Sequence, residues 1–232
     1  MWNGKLKAVT FSYDDGVTQD IRLIGLLDKY GLKSTFNLNS AYLGLHGRLD
    51  RENMVVSHNK IQACKVKETY KRHEVAMHTL SHPNLTEVDD ETIVWQVEQD
   101  RNLLTGLVGY DVVGMAYPCG GVNNDDRVAA VIKNRTGVKY ARTITSTYNF
   151  DLQLNLHRFN PSVYHVMEFD KLMELGRQFV DLKTTAPQLF YIWGHSYEFD
   201  IADHWRRMED FCQLISGQPD IFYGTNKEVL LA

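Results

Sequence analysis

Residues 6–16 read Leu6-Lys7-Ala8-Val9-Thr10-Phe11-Ser12-Tyr13-Asp14-Asp15-Gly16. Residues 6–11 are a short apolar run suited to a buried strand, and the chain leaves it through two adjacent carboxylates. Such a pair at a strand end is costly unless something uses it, because like charges repel and ionised groups resist leaving water. Asp-Asp-Gly also suits a turn or a helix cap. The pair therefore gains meaning only in combination with residues farther along the chain.

Further strand patterns occur at 33–38, 74–78, 112–117, 138–142, 154–159 and 189–194. Helical patterns lie between them at 21–30, 87–107, 123–135, 167–181 and 203–216; the first places Ile21, Ile24, Leu26 and Leu27 on one face and stops at Gly31. Strand and helix alternate throughout, which predicts an α/β fold with a parallel sheet and helical crossovers. At 232 residues and 44% hydrophobic content the chain can bury a sizeable core, and one domain over 1–232 is expected. No internal repeat or Gly/Ser-rich or Pro-rich linker divides it. The segment 40–73 is long for a strand-to-strand connection. It reads either as a hairpin or lid beside a site or as a surface excursion over one end of the sheet.

Chemistry-bearing residues cluster at the ends of these strands. Met77-His78-Thr79-Leu80-Ser81-His82-Pro83 offers two imidazoles four apart. One Asp and two His suit Zn²⁺ or a similar divalent ion with a position left open for water, and the second Asp remains free to take a proton. Val112-Val113-Gly114-Met115-Ala116-Tyr117-Pro118-Cys119-Gly120-Gly121 is a strand breaking into a Pro/Gly turn, and Leu189-Phe190-Tyr191-Ile192-Trp193-Gly194-His195-Ser196 is a strand ending on a His. Barrel enzymes build their sites at this end of their strands.

In this order the four segments make the chain resemble the polysaccharide deacetylase (NodB-homology) carbohydrate esterases, which carry Thr-Phe-Asp-Asp-Gly, His-(Ser/Thr)-x-x-His, Arg-x-Pro-x-Gly and late Leu-x-His motifs. The resemblance runs over residues 6–224. It implies a distorted, incomplete (β/α) barrel of about seven parallel strands. It also implies metal-dependent removal of an N-acetyl, or less readily an O-acetyl, group from an acetylated carbohydrate. Asp14 matches the general base, and Asp15, His78 and His82 match the ligands of one divalent ion: zinc first, with cobalt, nickel or manganese as alternatives. Cys119 holds the position whose backbone N–H serves as oxyanion donor, and His195 matches the general acid that protonates the departing amine. Tyr117, Pro118 and Trp193 are candidates for lining the substrate site. Trp193 shares a strand face with Tyr191 and His195 and either stacks on a sugar ring or fills the barrel core. A cysteine nucleophile at Cys119 is the rival reading, disfavoured because Pro118 and Gly120 explain the segment as a turn.

Two departures stand out. The third motif of the family begins with an Arg that orients the base, and here Ala116 stands in its place, with Cys119 replacing a Tyr. The group that orients the acidic His is not legible. Arg142 and Arg158, both after later strands, could supply the missing guanidinium or be solvated surface residues. A non-sugar amide or imide hydrolase on the same fold, and a non-catalytic carbohydrate-binding relative, remain as alternatives.

The net charge of −4 and the lack of a basic cluster argue against nucleic acid or an anionic membrane as partner. No run of 18 apolar residues or signal-peptide pattern is present, and Cys64, Cys119 and Cys212 lack disulfide or zinc-ribbon spacing, so a cytoplasmic location is expected.

Overall fold

A computed structural model describes residues 1–51, 54–166, 168–201 and 203–232. Met167, where the helical pattern 167–181 begins, and residues 52 and 53 within the segment 40–73 lie outside the described residues.

The first strand, β1 (Lys7–Asp14), is buried at every position. Burial of this kind suits a parallel sheet covered on both faces rather than an alternating surface strand. After it come α1 (Asp20–Lys29), β2 (Ser34–Leu38), β3 (Arg48–Arg51), β4 (Met54–Ser57), α2 (Val66–Thr69) and β5 (Glu74–Met77). The chain continues through α3 (Asp90–Val108), β6 (Gly114–Ala116), α4 (Asp126–Arg135), β7 (Tyr140–Arg142), β8 (Val163–Tyr164) and α5 (Phe169–Asp181). It closes with β9 (Gln188–Gly194), α6 (Glu198–Ile201), α7 (Trp205–Ile215), β10 (Ile221–Tyr223) and α8 (Asn226–Leu230). Seven parallel strands in the order β7-β6-β5-β2-β1-β9-β8 curl into an open half-barrel, and β10 adds to the first half of β1. This is the expected architecture.

Local chemistry sets the boundaries. The Asp89 carboxylate accepts from Thr92 N–H to start α3, and Gly109, at φ 84°, ends it in the left-handed conformation. Asp125 caps α4 in the same way, and Thr225 with Glu228 forms a capping box on α8. No helix among the described residues is long and apolar enough to cross a membrane.

Two expectations need correction. Residues 154–159 do not form the sixth strand. The Asn155 side chain accepts from His157 N–H and winds Leu156–Arg158 into a 3-10 turn, leaving one parallel bridge from Phe159 to Arg142; the strand that joins β9 is Val163–Tyr164. In α1 the buried positions are Asp20, Leu23 and Leu27, while Ile21 is 58% exposed. The inward face is thus rotated from the expected one, because a buried acid anchors it. Within 40–73, β3 and β4 pair as an antiparallel hairpin whose flanks reach the mouth of the half-barrel.

Candidate active site

The C-terminal ends of β1, β5, β6, β7, β8 and β9 open into one cavity of about 670 Å³. Asp14, Asp15, His78, His82, Tyr117, Cys119, Trp193 and His195 line it, together with Tyr164, His58 and Lys60, which the motifs do not contain.

Asp14 is the last residue of β1 and is 2% exposed. Arg142 Nη2 lies 2.5 Å from both of its carboxylate oxygens, and Asn37 Nδ2 donates to Oδ1 at 2.8 Å. Burial alone would raise the Asp14 pKa, but the Arg142 charge, then those of His78 and His195 and the Arg142 hydrogen bond, outweigh it and lower the pKa. Arg142 is itself fully buried, donates to Thr143 O at 3.1 Å and lies 4.4 Å over the Trp193 ring, which Tyr164 also stacks against at 4.5 Å. The indole thus packs against protein groups as well as bordering the cavity.

Asp15 turns away from Asp14 because its φ is 81°, and Gly16 continues the left-handed path at 61°. Asp15, His78 and His82 place potential ligand atoms within 4.8 Å of one another. His78 Nδ1 donates to Ala116 O at 2.9 Å, which leaves the Nε2 lone pair available. Burial lowers the pKa of both histidines, that of His78 to about 4, so both imidazoles are neutral as ligation requires. Burial pushes Asp15 upward, but the His58 hydrogen bond and the Lys60 charge reverse this and hold it well below the usual carboxylate range. An ionised carboxylate and two neutral imidazoles fit a divalent ion of the zinc type.

His195 follows β9. Its own N–H donates to Glu198 Oε2 at 3.0 Å and its Nδ1 lies 3.3 Å from the same oxygen. His165 Nε2 also approaches Glu198 Oε2, at 2.9 Å, and Tyr164 OH donates to Oε1. Burial would depress the His195 pKa, but Glu198 by charge and hydrogen bond, then Asp15 and Asp14, raise it to about 9. His195 is therefore protonated at neutral pH while Asp14 is ionised.

The family sequence model of polysaccharide deacetylases matches residues 3–141. The chain belongs to the polysaccharide deacetylase family. No curated protein matches it. Among solved structures, a family 4 carbohydrate esterase from Streptomyces lividans in complex with acetate is 13% identical, with TM-score 0.57 over 95% of this chain and 92% of that one. The Streptococcus pyogenes deacetylase PplD, also in complex with acetate, is 18% identical, with TM-score 0.52 over 64% of this chain and 61% of that one. A Bacillus anthracis family 4 pseudoenzyme, BA3943, is 16% identical, with TM-score 0.56 over 98% of this chain and 66% of that one. At these identities the likeness concerns the fold, and the side chains must carry the argument about chemistry.

Measured against the polysaccharide deacetylase pattern, the missing Arg has a physical counterpart. Ala116 and Arg142 are register partners on β6 and β7. The guanidinium that meets Asp14 thus comes from the neighbouring strand, at the level where the family motif would place it. Arg158 is not brought to the site; its Nη1 pairs with Asp126 at 2.6 Å and its Nε donates to Asn124 at 2.9 Å, as a surface residue does. Pro118 does not line the cavity, and the Tyr117 hydroxyl is committed to His157 O at 2.7 Å. Cys119 adopts φ 70°, and the fold brings His82 Nδ1 to 3.7 Å from its thiol although the two are distant in sequence. Burial raises the Cys119 pKa, which keeps the thiol protonated and argues against a thiolate nucleophile. Glu198, His165, His58 and Lys60 escaped the sequence reading. Only Glu198 left a signal, a carboxylate three residues after His195 on a turn.

Proposed function

We propose that residues 1–232 form one catalytic domain that hydrolyses the acetamido group of an acetylated carbohydrate, a carbon–nitrogen bond other than a peptide bond. The observation that carries this reading is the Arg142 clasp on Asp14 beside the Asp15, His78 and His82 group. A buried guanidinium that keeps one carboxylate ionised next to a divalent-cation donor set has an obvious use in water activation.

Asp15, His78 and His82 would hold the ion. It would supply Lewis acidity and lower the pKa of a water. Asp14, kept basic and oriented by Arg142, accepts the proton from the attacking water. The Cys119 N–H donates to the developing oxyanion, a role indifferent to the thiol. His195, kept protonated by Glu198, delivers a proton to the amine as the carbon–nitrogen bond breaks. Amines need that proton far more than alcohols do, which favours N-acetyl over O-acetyl substrates. Tyr117 and Trp193 border the cavity with 1% and 7% of their surface exposed, so they shape its floor, and the half-buried Tyr164 ring stacked on Trp193 is the aromatic wall against which a sugar can settle. The Arg142 clasp also argues against the non-catalytic alternative, since the base is not left unsupported by Ala116. The three free cysteines support a reducing, cytoplasmic setting.

The test is acetate release by the protein loaded separately with zinc, cobalt, nickel or manganese. Substrates are N-acetylated mono- and oligosaccharides, O-acetylated sugars, and small non-sugar amides and imides. Turnover of N-acetyl sugars above the other classes is expected. Preference for an imide would move the substrate class, and binding of sugars without turnover would remove the enzymatic reading.

A further inference from the structure

The segment that leaves β4 is stitched to the chain around Asp15. Thr18 N–H donates to Asn59 O at 2.8 Å, Ile61 N–H donates to Gly16 O at 2.9 Å, and Val17 and Lys60 form an antiparallel bridge. These backbone bonds deliver two side chains to one carboxylate. His58 Nε2 lies 3.2 Å from Asp15 Oδ2, and Lys60 Nζ lies 3.4 Å from Oδ1 while donating to Asp15 O at 2.8 Å. The Lys60 side chain is 8% exposed, so its charge has been taken out of water and placed against Asp15. Both oxygens of a carboxylate that a metal would need are therefore already engaged, one by an imidazole N–H and one by an ammonium.

The two partners act on a bound cation in opposite senses. An imidazole donor on Asp15 Oδ2 orients a ligand carboxylate, as outer-shell donors of metal ligands do. An ammonium held 3.4 Å from Asp15 Oδ1 and bonded to Asp15 O repels a second positive charge at short range in a poorly screened site. We propose that Lys60 is the resident counter-cation of the metal site: it neutralises Asp15 in the metal-free protein and opposes loading, whereas His58 positions Asp15 and favours it. This rests on reading Asp15, His78 and His82 as the metal centre. Lys60 is thus a positioning residue acting through Asp15, and its consequence is a site that exchanges its ion more readily than its ligand set alone would allow.

The experiment is competition for Zn²⁺ between a chromophoric chelator and the metal-free full chain. Wild type is compared with Lys60→Met, Lys60→Gln, Lys60→Arg and His58→Ala, with a thermal melt on each. Lys60→Met and Lys60→Gln are expected to bind Zn²⁺ about tenfold or more tightly than wild type, Lys60→Arg to stay near wild type, and His58→Ala to bind about tenfold more weakly. Opposite shifts cannot come from general destabilisation. Gln can retain the bond to Asp15 O without the charge, so it carries the test if the Met variant does not fold. Unchanged or weaker binding in a folded, neutral Lys60 variant overturns the proposal and leaves the metal centre standing. Failure of wild type to bind Zn²⁺ at all removes the metal centre, and the proposal with it.

Discussion

Asp14 and Arg142 meet across the barrel mouth with exposures of 2% and 0%, so neither charge can be satisfied by water if the other is removed. Arg142→Met is expected to cost about 3–5 kcal/mol of stability, as breaking one half of a buried pair does, and to raise the Asp14 pKa; chemical denaturation and the acid limb of the rate check both. At the other side of the mouth, His195 must be protonated to act as acid. Its folded pKa is raised to about 9, so the rate is expected to fall on an alkaline limb between the ordinary histidine value and about 9, a bound divalent cation drawing the limb downward. Glu198→Gln should shift that limb to lower pH, because the charge that raises the His195 pKa is gone, and should hurt an N-acetyl sugar more than an activated acetate ester. An unmoved limb would assign it to another group. At this scale the sequence was legible where a motif is contiguous: Asp14, Asp15, His78, His82 and His195 all line the cavity. It offered Arg142 and Arg158 alike for the missing guanidinium, because only the register of β6 against β7 sets Arg142 beside Ala116, and it was silent where partners come from a hairpin, as for His58 and Lys60.

Elements explain what the residues could not. Strands β1 and β9 announce themselves by their apolar content because both faces of a parallel sheet are covered, while β2, Ser34-Thr35-Phe36-Asn37-Leu38, is buried with polar side chains that find partners inside. The segment 154–159, Leu154-Asn155-Leu156-His157-Arg158-Phe159, alternates as a strand does at its start, yet Leu154 is fully exposed and Asn155 turns the chain. Side-chain capping overrode strand propensity there. The glycine that ends β9 shows how tightly elements meet: a Cβ at Gly194 would lie 2.1 Å from the His165 ring. Gly194→Ala is therefore expected to displace His165 and with it Glu198, destabilising by about 1–3 kcal/mol and lowering kcat more than it raises KM. A melt and steady-state kinetics on the same preparation test this. Wild-type kinetics with a lowered melt would confine the role of Gly194 to packing.

Over the whole molecule, the cost of the site appears as pH-dependent stability. Asp20 is fully buried, accepts from Ser196 at 2.5 Å and from Tyr70 at 2.7 Å, and burial raises its pKa to about 7 despite both bonds. A raised folded pKa contributes stability that is fully present below the unfolded value, near 4 for an Asp, and is lost as pH rises through about 7. Asp100, which accepts from Ser40 N–H and His78 N–H, behaves in the same direction, and so does His195 at higher pH. Burial holds His73, His78, His82 and His165 below the usual histidine range, and these groups add stability as pH rises, so the Asp20 contribution is read by difference: from pH 5 to pH 8 the metal-free wild type should lose stability relative to Asp20→Asn, which can keep both hydroxyl partners. Calorimetry across pH decides it. The central claim, that Asp14 is the base of a metal-dependent deacetylase and not a ligand, is tested most directly by one paired measurement. Zn²⁺ affinity and acetate release from an N-acetylated oligosaccharide are determined for wild type and Asp14→Asn. The account predicts metal affinity within about tenfold and a rate lower by about a hundredfold or more; an Asp14→Asn protein that releases acetate at the wild-type rate would contradict it.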